Sequence, residues 1–567
     1  MKRSLLFAAI VGLGLTALFR AGSDAALAQG SVALSGVVTS QEEGKMEGVV
    51  VNARREGGNA TVSVVSDAQG KYSFPQTHLQ AGKYTVTIRA VGFDLAGPAA
   101  AEVAAGKSAT ADLKLVKAKN VATQLSSAEW MMSVTGSEEE KANFTYVTMG
   151  CNYCHSMGRI FNSKHTVQTL LPAMERMAEY YADGTAKSND NRRGRAALVQ
   201  EPGRIKMMHN TPTWPTSENQ RQWVAEFVER NDLSGGKTAH AFPLKTLARP
   251  KGKATRVIIT EYDMPTAGTV AHDMDIDSKG IVWYTDESDQ LLGRFDPKTA
   301  TFTEIREPVL PAIDKGQLRG TRDVVVDKAD KVWFPIRTPG NETKMSRYDP
   351  VTNKLDIVEG SGGQFVGMGG DGFIWAGGTR IDPRTAVVEG RYTYQGNAVI
   401  PQGVQVGGYH NHYDSKGNMW VASQSGKGGI IGVDIKTKAV TFKPVPGLRA
   451  RRGKIDHKTD RLYFGEYWVD KAGVYDIRAD KLQRWDLGKY YTPYTASTAD
   501  AKGRFYVPSN GAERFIRIDP NTNEIVEYLW PTEFDTKKIA MDPTTSNTVI
   551  WMANKRTARI SKVEPLD

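Results

Sequence analysis

Cysteine is nearly absent from this chain, at two of 567 residues. No disulfide framework is therefore available to staple it. Long apolar runs are missing too, apart from one at the N-terminus, so no further bilayer-spanning helix is expected. Basic residues outnumber acidic ones, 73 against 63 for a net charge of +10, yet they are dispersed and form no tract. That argues against nucleic acid as a partner and permits an acidic redox protein or an anionic small molecule. The length excludes a single core, because hydrophobic cores stop growing well below this size.

The N-terminal run has the parts of a secretory signal over residues 1–28. Lys2 and Arg3 form a basic start, Leu5 to Phe19 is apolar, and Ala26-Leu27-Ala28 offers small residues for cleavage before Gln29. The expectation is a periplasmic or secreted protein with no transmembrane segment once the signal is removed.

Residues 31–117 alternate apolar and polar positions in short runs such as Lys83-Tyr84-Thr85-Val86-Thr87-Ile88, which predicts a small all-β sandwich. The run Ser66-Asp67-Ala68-Gln69-Gly70-Lys71-Tyr72-Ser73-Phe74-Pro75, followed by Ala81-Gly82-Lys83-Tyr84, resembles the carboxypeptidase regulatory-like domain. That resemblance implies docking or spacing and no catalysis.

Residues 127–235 change to helical periodicity. Ser137-Glu138-Glu139-Glu140 opens one helix, Leu170, Leu171, Met174 and Met177 recur at three- and four-residue spacing in a second, and Ser217 with Gln220 forms a capping box for a third. Residues 236–253 read as a linker. From 254 to 567 the chain repeats, with an aromatic mark at Trp283, Trp333, Trp375, Trp420, Tyr463, Tyr506 and Trp551, separated by 50, 42, 45, 43, 43 and 45 residues. That is the length of a four-stranded propeller blade, so a seven-bladed β-propeller is predicted. The last repeat stops after Arg559-Ile560-Ser561-Lys562-Val563, and the run from Arg256 to Tyr262 is expected to supply its missing strand and close the ring.

The two cysteines stand in Cys151-Asn152-Tyr153-Cys154-His155. Two thiols at that spacing reach the two vinyl groups of a porphyrin, and the next residue, His155, binds the iron. Zinc lacks a second ligand pair here, and no thioredoxin-like unit surrounds the motif. One covalent haem c is the cofactor expected. Helix, motif, helix, loop, helix resembles a class I cytochrome c, hence an all-α domain, and that resemblance implies a methionine before the last helix as sixth iron ligand. Met208 fits, with Met207 the alternative and His209 or an open position left over; Met174 and Met177 have the spacing of core residues.

Counting back eleven residues from each mark reaches the entry of each innermost strand: His272, Arg322, Gln364, Tyr409, Arg452, Thr495 and, across an insertion, Lys537 or Lys538. Counting forward three gives Asp286, Ile336, Gly378, Ser423, Glu466, Ser509 and Asn554. Polar side chains converging on a funnel mark a binding site. Arg322, Gln364, Tyr409 and Arg452 are the candidate substrate-binding residues, and His272 oriented by Asp286 is the candidate acid or base. A metal on His410 and His412 is disfavoured on the reading that strand alternation turns them apart.

Residues 254–567 resemble the virginiamycin B lyase propellers. The resemblance implies opening of a lactone with metal assistance, His272 and Asp286 standing at the family's histidine and glutamate, although Ala271 and Val270 depart from its pattern. The functional expectation is electron transfer through haem, with the propeller binding a redox partner protein or a small-molecule substrate, which makes a haem-dependent oxidoreductase the enzyme class if there is turnover. A carbon-oxygen lyase and a non-catalytic haem-containing binding or sensing protein are the alternatives.

Overall fold

The computed structural model describes residues 31–148, 152, 155–182, 217–266, 269–286, 291–306, 321–338, 342–404 and 407–567. Strands dominate them. The N-terminal part packs two sheets. In one, Val32–Ser40 pairs antiparallel with Lys71–Pro75 and parallel with Leu113–Lys117. The other orders Ala60–Val65, Val50–Arg55, Gly82–Arg89 and Ala99–Val103. Leu34, Val51, Phe74 and Val86 fill the space between them. The tight turn entering Lys71–Pro75 is closed by Asp67, whose carboxylate accepts the N–H groups of Gln69 and Lys71 at 2.9 Å each.

Ala60–Val65 is not a free edge. It pairs antiparallel with Val257–Asp263, Ile259 lying opposite Ser63. Val257–Asp263 in turn pairs along its whole length with Arg559–Pro565, as the missing last strand requires. The second sheet of the sandwich and the last sheet of the C-terminal region are thus one eight-stranded sheet.

Among the described residues the rest of that region forms five four-stranded antiparallel sheets, spanning 271–306, 325–358, 366–391, 411–444 and 453–486, and a three-stranded one over 505–529. The innermost strand of the first, Ala271–Ile276, packs against Val325–Val326 of the second and against Ile539–Met541 of the last, so the sheets return on themselves in a propeller-like ring. The aromatic marks recur for a reason beyond packing. Trp283, Trp333 and Trp420 donate their indole N–H to Asp277, Asp327 and Asp414, six residues earlier, at 3.1, 2.8 and 2.9 Å, and the Tyr506 hydroxyl does the same to Asp500 at 3.0 Å. The other oxygen of Asp277 accepts the N–H groups of Lys279 and Ile281, so one carboxylate closes the turn and holds the ring. Gly369 stands at that place before Trp375, whose Nε1 is buried without a partner.

Five α-helices occur among the described residues: α1 Ser127–Ser133, α2 Glu138–Val147, α3 Met157–Phe161, α4 Val167–Ala182 and α5 Glu218–Asn231. Capping boxes from Ser126 with Glu129 and from Ser217 with Gln220 start α1 and α5. Their core is aromatic, with Phe144 stacked on Phe227 at 4.3 Å between centroids and Trp130 and Phe161 beside them. The self-contained all-α domain expected over 127–235 is not evident. The helices share their core with Val91 of the sandwich and Tyr490 of the ring, and the Ala128 N–H donates to the Gly511 carbonyl at 2.7 Å.

Candidate functional site

Cys151, Cys154, Met207, Met208 and His209 lie outside the described residues. Asn152 and His155 lie within them. The Nδ1 of His155 faces the Ser156 carbonyl oxygen at 3.0 Å. A carbonyl only accepts, so Nδ1 carries the proton and Nε2 the lone pair. Burial pushes this imidazole down to about 4, against the hydrogen bond, which keeps it neutral at ordinary pH. A neutral ring with Nδ1 anchored to a carbonyl is the form in which histidine ligates iron, so the residue fits the group that the motif implies. A cavity of about 640 Å³ opens beside it, walled by Ser156, Gly158 and Arg159 and, from the other parts of the chain, by Arg89, Glu513 and Glu533.

This segment is held against the mouth of the ring. Arg556 donates from Nη2 to the backbone and side-chain oxygens of Asn152 at 2.8 and 2.9 Å, and the Ser156 hydroxyl donates to Glu533 at 3.1 Å. Glu533 leads through Asp535 and Lys537 into the innermost strand Ile539–Met541, while Arg556 follows the second strand Ile550–Asn554. Both loops belong to the end of the ring where the counted-back residues stand.

Those residues do meet. The Nδ1 of buried His272 faces the Arg322 carbonyl at 2.7 Å and the Asp273 carboxylate at 3.0 Å, so it too carries its proton there. Arg322 donates to Gln364 at 3.4 Å. Tyr409 packs on Phe365 at 4.9 Å and lies under the Arg451 guanidinium at 3.7 Å, and burial raises its hydroxyl above the ordinary tyrosine value. Arg452 holds Asp273 with both terminal nitrogens at 2.7 and 2.6 Å, sits 3.4 Å from Asp323 and donates to the Lys537 carbonyl at 3.1 Å. Its fork is therefore occupied within the protein.

His272 faces the Asp273 carboxylate, and Asp286 accepts the Val270 N–H at 3.0 Å. A register shift between Ala271 and Met274 breaks the alternation that would set His272 and Asp273 on opposite faces. The counted-forward residues hold loops or core: Glu466 is gripped by Arg484 through two contacts of 2.7 Å, and Ile336 is buried among apolar side chains.

Asp323 was not among the candidates and is the hub. Wholly buried, it accepts from the Val324 and Val366 N–H groups at 2.9 and 3.1 Å, from Lys538 at 3.0 Å and from His410 Nε2 at 3.0 Å. Burial alone would raise its carboxyl, but Lys538, His410 and Arg452 hold it well below the usual carboxylate range. The signal was present: an aspartate follows a polar funnel residue in both His272-Asp273 and Arg322-Asp323. The rings of His410 and His412 lie 5.1 Å apart, centroid to centroid, on one side of the strand. Alternation separates neighbours, not residues two apart, so the expectation that it parts them is corrected. Among the described residues no cluster of three or more His, Cys, Asp or Glu could hold a metal ion, and no helix is long and apolar enough to cross a membrane.

Residues 33–116 match the family model of the carboxypeptidase regulatory-like domain. No curated protein matches the chain. Among solved structures, it is similar to virginiamycin B lyase from Staphylococcus aureus at 17% identity and a TM-score of 0.43, over 54% of this chain and 99% of that one. A streptogramin B lyase is similar at 16% identity and a TM-score of 0.44, over 55% and 99%. The hydrazine synthase of Kuenenia stuttgartiensis is similar at 12% identity and a TM-score of 0.40, over 54% and 98%.

Proposed function

We propose that this protein is an exported, periplasmic or secreted, c-type cytochrome fusion. It transfers single electrons through one covalently bound haem, and its C-terminal region, a seven-bladed propeller, binds the substrate or redox partner. One observation carries the reading: Asn152, within the motif, and Ser156, just after it, are held at the mouth of the ring by Arg556 and Glu533. The haem, when bound, supplies a one-electron centre. Cys151 and Cys154 hold it, His155 ligates through Nε2, and Met208, or Met207 in its place, completes the iron's ligands. In the funnel His272 keeps a proton on Nδ1 between Asp273 and the Arg322 carbonyl, which leaves Nε2 as the basic nitrogen.

The test uses full-length protein made with cytochrome maturation machinery. A reduced c-type spectrum that survives acid acetone extraction is expected, and Cys151→Ala with Cys154→Ala should release the haem. Met208→Ala should abolish the weak near-infrared sulfur-to-iron band and lower the potential. Haem that stays covalently bound without both thiols would end the proposal.

A further inference from the structure

Two charged side chains of the ring bracket His155. Arg556 donates to Asn152, three residues before it, and Glu533 accepts from the Ser156 hydroxyl, one residue after it. Both charges act on the His155 ring, Arg556 as a positive one and Glu533 as a negative one, and Arg159 of α3 acts in the same sense as Arg556. The two are not equivalent. The Arg556 side chain is 1% exposed, and its Nε and Nη1 are buried with no hydrogen bond among the described residues. Its counter-charge is Glu513 at 3.7 Å, which Arg89 of the sandwich already grips. Even fully ionised, that carboxylate balances only one of the two guanidinium groups, so the buried trio keeps a net positive charge. Glu533 is exposed, where water and salt weaken its field.

A charge withdrawn from water acts more strongly on its neighbours, because the medium around it screens less. A positive charge beside an iron favours the ferrous form, which carries less positive charge than the ferric one, and a negative charge does the reverse. We infer that the last sheet of the ring sets the reduction potential of the haem, Arg556 raising it and Glu533 lowering it, with the buried arginine the stronger of the two. Arg556 is then a positioning residue that also supplies a field, and the sandwich takes part through Arg89. This rests on the haem reading of the motif and adds to it the residues that fix the potential.

Redox titration of the full-length haem protein, followed by visible and near-infrared absorbance, tests it. Arg556→Gln should shift the ferric-ferrous equilibrium about tenfold toward ferric, a fall of about 59 mV for one electron. Arg556→Lys, which keeps the charge and loses the fork, should restore most of that. Glu533→Gln keeps an acceptor for Ser156 and should move the potential upward, by less. Added salt should shrink the Glu533 effect and spare the Arg556 effect. Loosened packing would not reverse sign with the sign of the charge removed. If Arg556→Gln fails to mature, the direction of the Glu533→Gln shift decides. Potentials equal to the parent's, shifts of the two Gln variants in one direction, or a shift accompanied by a changed near-infrared spectrum, which would assign it to the iron's ligands, overturn the inference while the haem reading stands. Absence of covalent haem from the parent protein would overturn both.

Discussion

The ring and the helices bury different things. At the mouth of the ring, Asp273, Asp323 and Arg452 are withdrawn from water and paired with one another, with Lys538 on their flank. Among the helices the core is Trp130, Phe144, Phe161 and Phe227, and ion pairs such as Arg230 with Glu140 stay near the surface. Buried ion pairs add little net stability, but each partner fixes the other's direction, and losing one leaves an uncompensated charge. An aromatic core responds instead to lost volume. The first construction suits a surface that must present side chains in one orientation. The second suits an apolar bed.

The largest effect that could break this contrast is at Asp273. Asp273→Ala leaves Arg452 buried and unmatched, so urea unfolding followed by tryptophan fluorescence should show a loss of about 3–5 kcal/mol, with haem absorbance unchanged. Asp273→Leu with Arg452→Met should recover most of it. A single variant no less stable than the parent would mean that the network is not a buried one in solution.

A smaller effect is expected at the turns. Asp277→Ala removes the acceptor of the Trp283 indole and two backbone N–H groups, for a loss of about 1–3 kcal/mol. In a double-mutant cycle with Trp283→Phe the two losses should add to more than the double variant shows. Strict additivity would mean that the carboxylate serves the turn alone.

Acid should give the smallest change and sharpen the contrast further. The folded Asp323 carboxyl titrates well below its unfolded value of about 3.9. It therefore contributes stability that is fully present above that value and is lost as pH falls through the folded one. The stability of the ring, read from urea unfolding followed by tryptophan fluorescence, should be insensitive to pH near neutrality and fall below about pH 4. Asp323→Asn should flatten that slope, and a slope unchanged in this variant would assign it to other carboxylates.

The period of the ring was legible because each sheet needs an aromatic at one place, and the closing strand followed from a count that came up one strand short. The Asp277 to Trp283 spacing is equally visible, but an aspartate before a glycine already has a reason to be there in closing the turn, which masks its second role under the indole. The funnel positions were legible through the same register, whereas their partners were not. His272 meets Asp273 only because the strand is irregular there, and an irregularity has no period. Asp323 draws its role from Arg452 and Lys538, residues distant in sequence, and one chain's pattern says nothing of such meetings. Nor could periodicity show that Ala60–Val65 would find Val257–Asp263, since pairing between strand edges runs through backbone groups that every residue shares.

That last pairing bears on how the molecule is made. A chain emerging N-terminus first completes the sandwich while the ring is still missing its final sheet. Val257–Asp263 is then flanked on one side by Ala60–Val65, already in place, and on the other by a strand not yet synthesised. Docked on the sandwich, it waits as a prepared template, and one of its two edges is shielded from the stray pairing that exposed strands invite. On that order of synthesis the N-terminal domain would serve its own chain as an assembly jig, with the ring closing when Arg559–Pro565 pairs with the waiting strand.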